Sequence, residues 1–586
     1  MQLYILYSII PLLLFMAIIG LMKKTNRHVK HVALIGSILP ALFIPYLAMN
    51  LGASESFGWI SLGALSLPIT ASNTLVNFVM FSLVSIVAPF VFLYSLGYMD
   101  NQLDDKRYYI ELLAFQAAMT TLSLSGNFIL LFIAWEFLSV TSYLLIGFYN
   151  TDRAKRAARK AITTMIIGDI AMLAAMVLLW NSYSTLEFSQ LVGVSSFNTV
   201  SLVAIVLLLI AVFTKSAQFP FTSWLIDAME GPTPVSAFLH SSTMVKAGVF
   251  LVLLLFPMFK ASNLLYATLA IGLITAIIAV ANGLGERNIK RILAFSTIEE
   301  LSIMLIAASL LNVTAALYIF IVQTFYKALL FFYSGILYKA NGTEDITKMK
   351  NATQMKPIMI SGIIGIAALT GLVPFSTFFA NSMLDVSALG SGLIILAAII
   401  IVDFLLSIMM FRWLLLPYAK EQKKASAAEL NLQYKLAKKP MLYSLYAFAL
   451  LSIISPAILF SKEIFNAIGL LQFISIQELA LANAIVIIGA WIGYTLTKIK
   501  SAPYLNLDGY IDGIYSNAAY FLSWVSDVLG YVEHGIDTIL GLSLPLAYNT
   551  SMLLKKVENG EINTYAFALA AGLIILFVFF ALKLKT

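Results

Sequence analysis

Residues 207–232 read LLLIAVFTKSAQFPFTSWLIDAMEGP, and the reading of this stretch decides the fold. An apolar run leads into Lys215, and Pro220 follows five residues later. Proline has no N–H to donate and clashes with the preceding turn, so a helix entering this stretch must break. A lysine inside a membrane-length apolar segment costs several kcal/mol and marks a functional site by default. Helices broken at membrane depth commonly build ion sites, because their freed backbone groups line a cavity.

Working outward, apolar runs of about 20 residues recur along the chain, the length needed to cross a bilayer. Of 586 residues, 61% are hydrophobic and 11% charged, with mean hydropathy +0.92. A soluble domain carries about 25% charged residues, so that class is excluded. Cysteine is absent, which removes disulfides, thiolate metal sites and iron–sulfur ligation; any redox centre must belong to another chain. Four histidines, His28, His31, His240 and His534, argue against a protein-built zinc or haem site. The net charge of +7 comes from basic residues in short loops between apolar runs, a pattern that sets membrane orientation rather than nucleic-acid binding. No small-residue cleavage site follows residues 2–22, which read as a retained first helix.

The expected fold class is an all-α polytopic membrane protein with about 16 transmembrane helices. They fall near 2–22, 32–50, 73–98, 109–124, 127–149, 160–181, 199–229, 233–257, 263–284, 289–310, 312–339, 356–386, 390–416, 441–461, 477–497 and 564–584. Loop charge alternates in step. Lys23, Lys24, Arg27 and Lys30 precede a connection, 51–72, without Lys or Arg; Arg153, Lys155, Arg156, Arg159 and Lys160 precede another, 182–198. Arg287, Lys290 and Arg291, then Lys348 and Lys350, then Lys420, Lys423, Lys424, Lys438 and Lys439 fall on the same side. That side is expected to be cytoplasmic, with both termini outside a multi-pass cell-membrane protein. Residues 501–563 mix apolar and acidic positions and read as an amphipathic helix lying along the membrane, with 564–586 as its anchor.

The candidate functional ionisable residues within the expected spans are Glu136 in FILLFIAWEFLSVTSYLLIGFY, Asp169 in TTMIIGDIAML, Lys215, His240, Lys246, Glu299 and Glu300 in LAFSTIEELSIM, Lys327 and Asp403. Acid, lysine, histidine and lysine in series suit proton movement. At about 6 Å and effective dielectric 20, Glu136 would hold Lys215 by about 2.8 kcal/mol, or about two pKa units. Moving the acid would then switch the lysine between holding and releasing a proton. A histidine ordinarily titrates near neutrality, so His240 would be expected to relay protons through water. The competing readings are structural: an inert ion pair at Glu136 and Lys215, helix-end contacts of Glu299 or Glu300 with Lys290 and Arg291, and a pair between Asp403 and Arg412.

FTKSAQFPFTSWLIDAMEGPTPVSAFLHSSTMVKAGVFL (213–251) closely resembles the signature of the antiporter-like subunits of respiratory complex I; NIKRILAFSTIEELSIM (288–304) and FYKALLFFYSGILYKA (325–340) resemble later signatures. The resemblance covers about 70–420 well and 500–586 by pattern. It implies two inverted five-helix repeats with broken helices, here 109–257 and 258–416, after N-terminal helices 1–108 and before further helices 417–500. It also implies that Glu136 and Lys215 form a switching pair, that His240 and Lys327 continue a buried axis, and that Asp169 matches a family acid. The chain departs in LVPFSTFFANSMLDV (372–386), where Asn381 and Ser382 replace a lysine and an aspartate; Asp385 or Asp403 stand nearby. Ile319 and Gln323 replace two histidines. Glu299 and Glu300 resemble membrane-bound hydrogenase relatives, and Lys246 resembles multi-subunit cation/proton antiporters. The function expected is proton translocation within a complex I-type NADH:quinone oxidoreductase. Flavin, iron–sulfur clusters and quinone would lie on partner subunits, with no cofactor and no catalytic centre in this chain. The alternatives are a subunit of a multi-subunit Na⁺/H⁺ antiporter or inorganic-carbon transporter, and a structural spacer.

Overall fold

The computed structural model describes residues 7–23, 26, 28–62, 65–100, 105–349, 356–418, 437–460 and 476–497. The amphipathic segment expected at 501–563 and its anchor lie outside them. In chain order come α1 (Ile10–Leu21), α2 (Val29–Ile38, continued by a tighter turn over Leu39–Phe43 and an α-helical turn to Met49), β1 (Ser54–Leu62), β2 (Leu65–Ser72), α3 (Leu75–Tyr98), α4 (Asp105–Ser123), α5 (Phe128–Ile146), α6 (Asp152–Tyr183), α7 (Thr199–Lys215) and α8 (Ser223–Asp227). There follow α9 (Thr233–Ser241), α10 (Ala247–Leu254), α11 (Leu265–Gly285), α12 (Ile289–Ser309), α13 (Val313–Asn341), α14 (Lys356–Leu369), α15 (Ser376–Ser391), α16 (Leu393–Leu415), α17 (Lys439–Ile454) and α18 (Ile476–Leu496). Among the described residues, ten helical stretches are long and apolar enough to cross a membrane and four shorter ones are apolar.

Helix starts are written into the sequence. Thr74, Asn127, Thr151, Asn198, Asn288 and Asn312 each cap a helix with a side-chain oxygen that accepts a first-turn N–H. Thr74 and Asn77 do so reciprocally. The helices sort by what they bury. α12 is enclosed by the rest of the chain, and so are α9, α10 and α13 almost throughout. α6 and α16 instead leave long apolar faces outward, including Ile166, Ile170, Leu173 and Val177 on α6.

The all-α expectation is corrected in the connection 51–72. It is an antiparallel hairpin, Ser54 opposite Ser72 and Leu62 opposite Leu65, with an irregularity between Gly58 and Ile60. Its edge does not hang free: Ser72 N–H donates to the Leu124 carbonyl and Gly126 N–H to that of Thr70. This satisfaction of edge groups is why a short hairpin persists beside a helical bundle.

Contacts sort the connections into two faces. On the hairpin face, Thr70 Oγ1 donates to Glu187 at 2.8 Å and Asn127 Nδ2 donates to the same oxygen at 2.8 Å. On the opposite, basic face, Lys30 and Lys438 both pair with Asp100. Lys160 (2.9 Å) and Arg291 (3.3 Å) share Asp227, and Lys290 meets Glu344 at 2.6 Å. Lys438 hydrogen-bonds Asp100 and, with Lys30, holds its carboxyl below the ordinary 3.8.

Two local patterns occur twice. Phe128 N–H donates to Leu186 O and Phe188 N–H to Gly126 O; Ile289 N–H likewise donates to Glu344 O and Ile346 N–H to Arg287 O. The first set lies on the hairpin face and the second on the basic face. The helix breaks also match position for position. Ala217 (φ +48°) corresponds to Gly371 (φ +74°), and the bond from Gln218 N–H to Phe213 O to that from Leu372 N–H to Ala367 O. Phe219 N–H donates to Thr275 Oγ1 at 3.0 Å, and Val373 N–H to Asn483 Oδ1 at 3.3 Å; a proline follows each.

Candidate functional site

The site begins where α7 stops. Pro220 supplies no N–H, and the groups freed by the break are met one by one. Trp224 Nε1 donates to the Thr214 carbonyl at 2.9 Å, and Phe219 N–H reaches Thr275. Lys215, the last residue of α7, is fully buried. Its ammonium lies 3.7 Å from the Asp169 carboxylate and 4.9 Å from the Trp135 ring centroid, and donates to Ser139 Oγ and to the Trp135 carbonyl at 3.3 Å. Asp169 in turn accepts from Trp135 Nε1 at 2.8 Å and Ser139 Oγ at 3.1 Å. Two glycines let the helices close this far. A β-carbon on Gly168 would overlap the Thr214 hydroxyl and sit 3.2 Å from Ala211 Cα; one on Gly248 would sit 2.5 Å from the Val212 carbonyl.

The expected partner is corrected here: Asp169, not Glu136, makes the ion pair with Lys215. Trp135 and Ser139, one turn apart on α5, face the lysine. Glu136 is one residue on, turned about 100° around the helix, half-buried, and within electrostatic range of both Asp169 and Lys215.

A second cluster lies between α9, α12 and α13. Lys327 Nζ is 2.9 Å from Glu300 Oε2 and donates to Ser296 Oγ at 2.7 Å. Gln323 Nε2 donates to the same Glu300 oxygen at 3.1 Å and to the His240 carbonyl at 3.3 Å. Lys246 Nζ donates to the Phe320 carbonyl (2.5 Å) and Thr324 Oγ1 (2.6 Å), 4.7 Å from the Phe320 ring centroid. The His240 ring lies 4.8 Å from that of Phe331, both nitrogens buried without a hydrogen bond. Ser302 Oγ donates to Gln218 Oε1 at 2.9 Å and so ties the break to α12. Glu299 is buried within electrostatic range of Glu300, Lys327 and Asp403, and Asp403 accepts from Asn381 Nδ2 at 3.1 Å.

These contacts decide between readings left open by the sequence. Glu300 pairs with Lys327, while Lys290 and Arg291 take Glu344, Asp227 and Glu286. Arg412 donates to the Glu286 carbonyl rather than to Asp403. Sequence reasoning missed Trp135, Ser139, Gln218, Ser296, Ser302 and Thr324. The one available signal was Trp135 and Ser139 flanking Glu136 at helical spacing.

The family described as NADH:quinone oxidoreductase/Mrp antiporter, transmembrane, matches residues 125–407, and that of NADH-ubiquinone oxidoreductase (complex I), chain 5 N-terminus, matches 59–109. The chain is 32% identical over 429 residues to NADH-quinone oxidoreductase subunit L of Buchnera aphidicola, covering 70% of this chain and 69% of that one. It is 31% identical over 499 residues to a putative antiporter subunit of Staphylococcus aureus, covering 78% of this chain and 62% of that one. The fold is similar to a chain of the Mrp complex from Dietzia sp., with TM-score 0.74 at 21% identity over 92% of this chain and 62% of that one. A multi-pass membrane protein with one buried lysine–acid pair at a helix break and another between two continuous helices, this chain belongs to the antiporter-like membrane subunit family shared by NADH:quinone oxidoreductases and Mrp antiporters.

Proposed function

We propose that this chain is a proton-translocating membrane subunit of a complex I-type energy-converting complex. Flavin, iron–sulfur clusters and quinone belong to partner subunits, and protons pass along Glu136, Asp169, Lys215, His240, Lys246, Lys327, Glu299 and Asp403. The observation that carries this reading is the Asp169–Lys215 pair at the end of a broken helix. At 3.7 Å and effective dielectric 20 the pair is held by about 4.5 kcal/mol. Desolvation costs several kcal/mol per ion, so charged and neutral states lie close in energy. A group that loads and unloads protons needs that balance.

The doubled bridges and breaks support two inverted repeats, 109–257 and 258–416, within a sixteen-span chain. The basic face is then cytoplasmic and both termini are outside. Domain limits at 108, 416, 500 and 563 follow the same scheme, with the lateral helix and its anchor completing the chain. Glu136 points to the neighbouring subunit. It stands on a partly open stripe of α5 with Phe132, Ile133, Phe137 and Val140, and a carboxylate left against lipid would be expensive.

The test uses inverted membrane vesicles containing the whole complex. Lys215→Ala is expected to abolish proton uptake coupled to electron transfer; unchanged uptake and electron transfer overturn the proposal. The second reading, a Na⁺/H⁺ antiporter subunit, draws on the similarity to the staphylococcal protein over 78% of the chain. Sodium-dependent collapse of a pH gradient without an electron donor would favour it.

A further inference from the structure

We propose that the second half of the chain exchanges protons with the hairpin face through an all-carboxylate path, Glu299 to Asp403 to Asp385, with Asn381 as a positioning residue; this rests on the proton-translocation reading above. The path starts at the buried Lys327–Glu300 pair. Glu299 is 1% exposed, and its Oε2 has no hydrogen-bond partner. Such an orphaned buried oxygen is costly, and its surroundings must explain it. Glu300, Lys327 and Asp403 all lie within electrostatic range of Glu299. Asp403 interacts with Asp385, and the Asn381 amide donates to it at 3.1 Å.

Exposure rises along the series: Glu299 and Glu300 are buried, while Asn381, Asp385 and Asp403 are only half-buried. The outer end is fixed by Asn312, at the start of α13, whose Nδ2 donates to the Met383 carbonyl (3.1 Å) and Ser387 Oγ (2.9 Å), on either side of Asp385. Since α12 begins on the basic face beside Glu344, its far end and the start of α13 lie at the opposite face. Among the described residues no three such side chains gather to hold a metal ion, so the acids form a string and not a cage. Glu299 takes a proton from the Lys327–Glu300 pair and gives one to Asp403, Asp403 gives one to Asp385, and Asp385 releases one at the hairpin face; refilling the pair along the buried lysines returns the chain to its starting state. An amide cannot titrate, so Asn381 only aims Asp403.

The test is the Asp403→Asn/Asp385→Asn double variant in the whole complex, which keeps the shapes and a hydrogen bond to Asn381. Coupled proton uptake is expected to fall about tenfold or more, the effect of 1.4 kcal/mol on a barrier. Asp403→Glu, still titratable, is expected to retain most of it. Wild-type uptake by the double variant while Lys215→Ala is inactive overturns this path and leaves the function standing. Wild-type uptake in both overturns the function as well. If the double variant does not assemble, Asp403→Asn is compared with Asp403→Glu, and equal activity in assembled complexes overturns the path.

Discussion

Lys215 is the residue on which structural and functional demands separate. Removing its counter-charge by Asp169→Asn leaves a buried ammonium unpaired, a loss of about 3–5 kcal/mol. The expected result is a large drop in the thermal midpoint together with loss of transport. Glu136→Gln, whose side chain makes no ion pair with the lysine, is expected to leave the midpoint within about 0.5 kcal/mol of wild type. The decisive variant is Asp169→Leu/Lys215→Met. Apolar replacement of a buried pair is commonly neutral or stabilising, by about 1–4 kcal/mol. The double variant should therefore assemble and melt at or above the wild-type temperature, yet carry no protons. Transport by an assembled Leu/Met chain would show the pair to be inert. The sequence makes the lysine legible but not its partner. A carboxylate one residue from Trp135 and one on the next helix look alike until Gly168 is seen to bring α6 against α7.

At the scale of elements, the first break has a measurable weak point. Ala217 sits at φ +48°, where the matching position of the second break has Gly371. A non-glycine residue in that region costs about 1–2 kcal/mol, so Ala217→Gly is expected to raise the thermal midpoint with transport intact. Ala217→Val is expected to lower it, and a Gly variant no more stable than wild type would count against strain at this position. Thr275→Val is expected to cost about 1–3 kcal/mol, because the Phe219 N–H loses its acceptor in an enclosed site. The break itself is legible from Lys215 and Pro220. Its closure is not, because Thr275 and Asn483 come from distant helices. The hairpin escaped for a different reason: a connection of 51–72 without Lys or Arg reads as an outer loop, and the edge contacts that hold the β1–β2 pair in place come from Leu124 and Gly126.

Outside the membrane, Asp100 joins α3 to the starts of α2 and α17 through Lys30 and Lys438. Its carboxyl is held below 3.8, chiefly by the Lys438 hydrogen bond. A depressed carboxyl stabilises the fold at pH above its unfolded value and loses that contribution as pH falls through the folded one. Asp100→Asn is therefore expected to melt below wild type at neutral pH, with the gap closing under acid. A gap constant down to pH 3 would mean that the charge plays no part.

Over the whole molecule, the two faces make orientation testable with few substitutions. The native chain has no cysteine, so single cysteines report without background. Ser195 is exposed in the connection after Glu187 on the hairpin face, and Lys155 is exposed at the start of α6 near Lys160 on the basic face. In intact cells a membrane-impermeant maleimide is expected to label Ser195→Cys and to reach Lys155→Cys only after permeabilisation. The reason is charge: Lys and Arg near helix ends are retained on the cytoplasmic side during insertion. Here Lys30, Lys160, Lys290, Arg291 and Lys438 are joined to one another's acids on a single face, whereas the contacts of the opposite face run through Thr70, Asn127 and Glu187. The reverse labelling pattern would invert the chain. It would turn the path through Asp403 and Asp385 toward the cytoplasm, while leaving the Asp169–Lys215 pair and every helix contact as they stand.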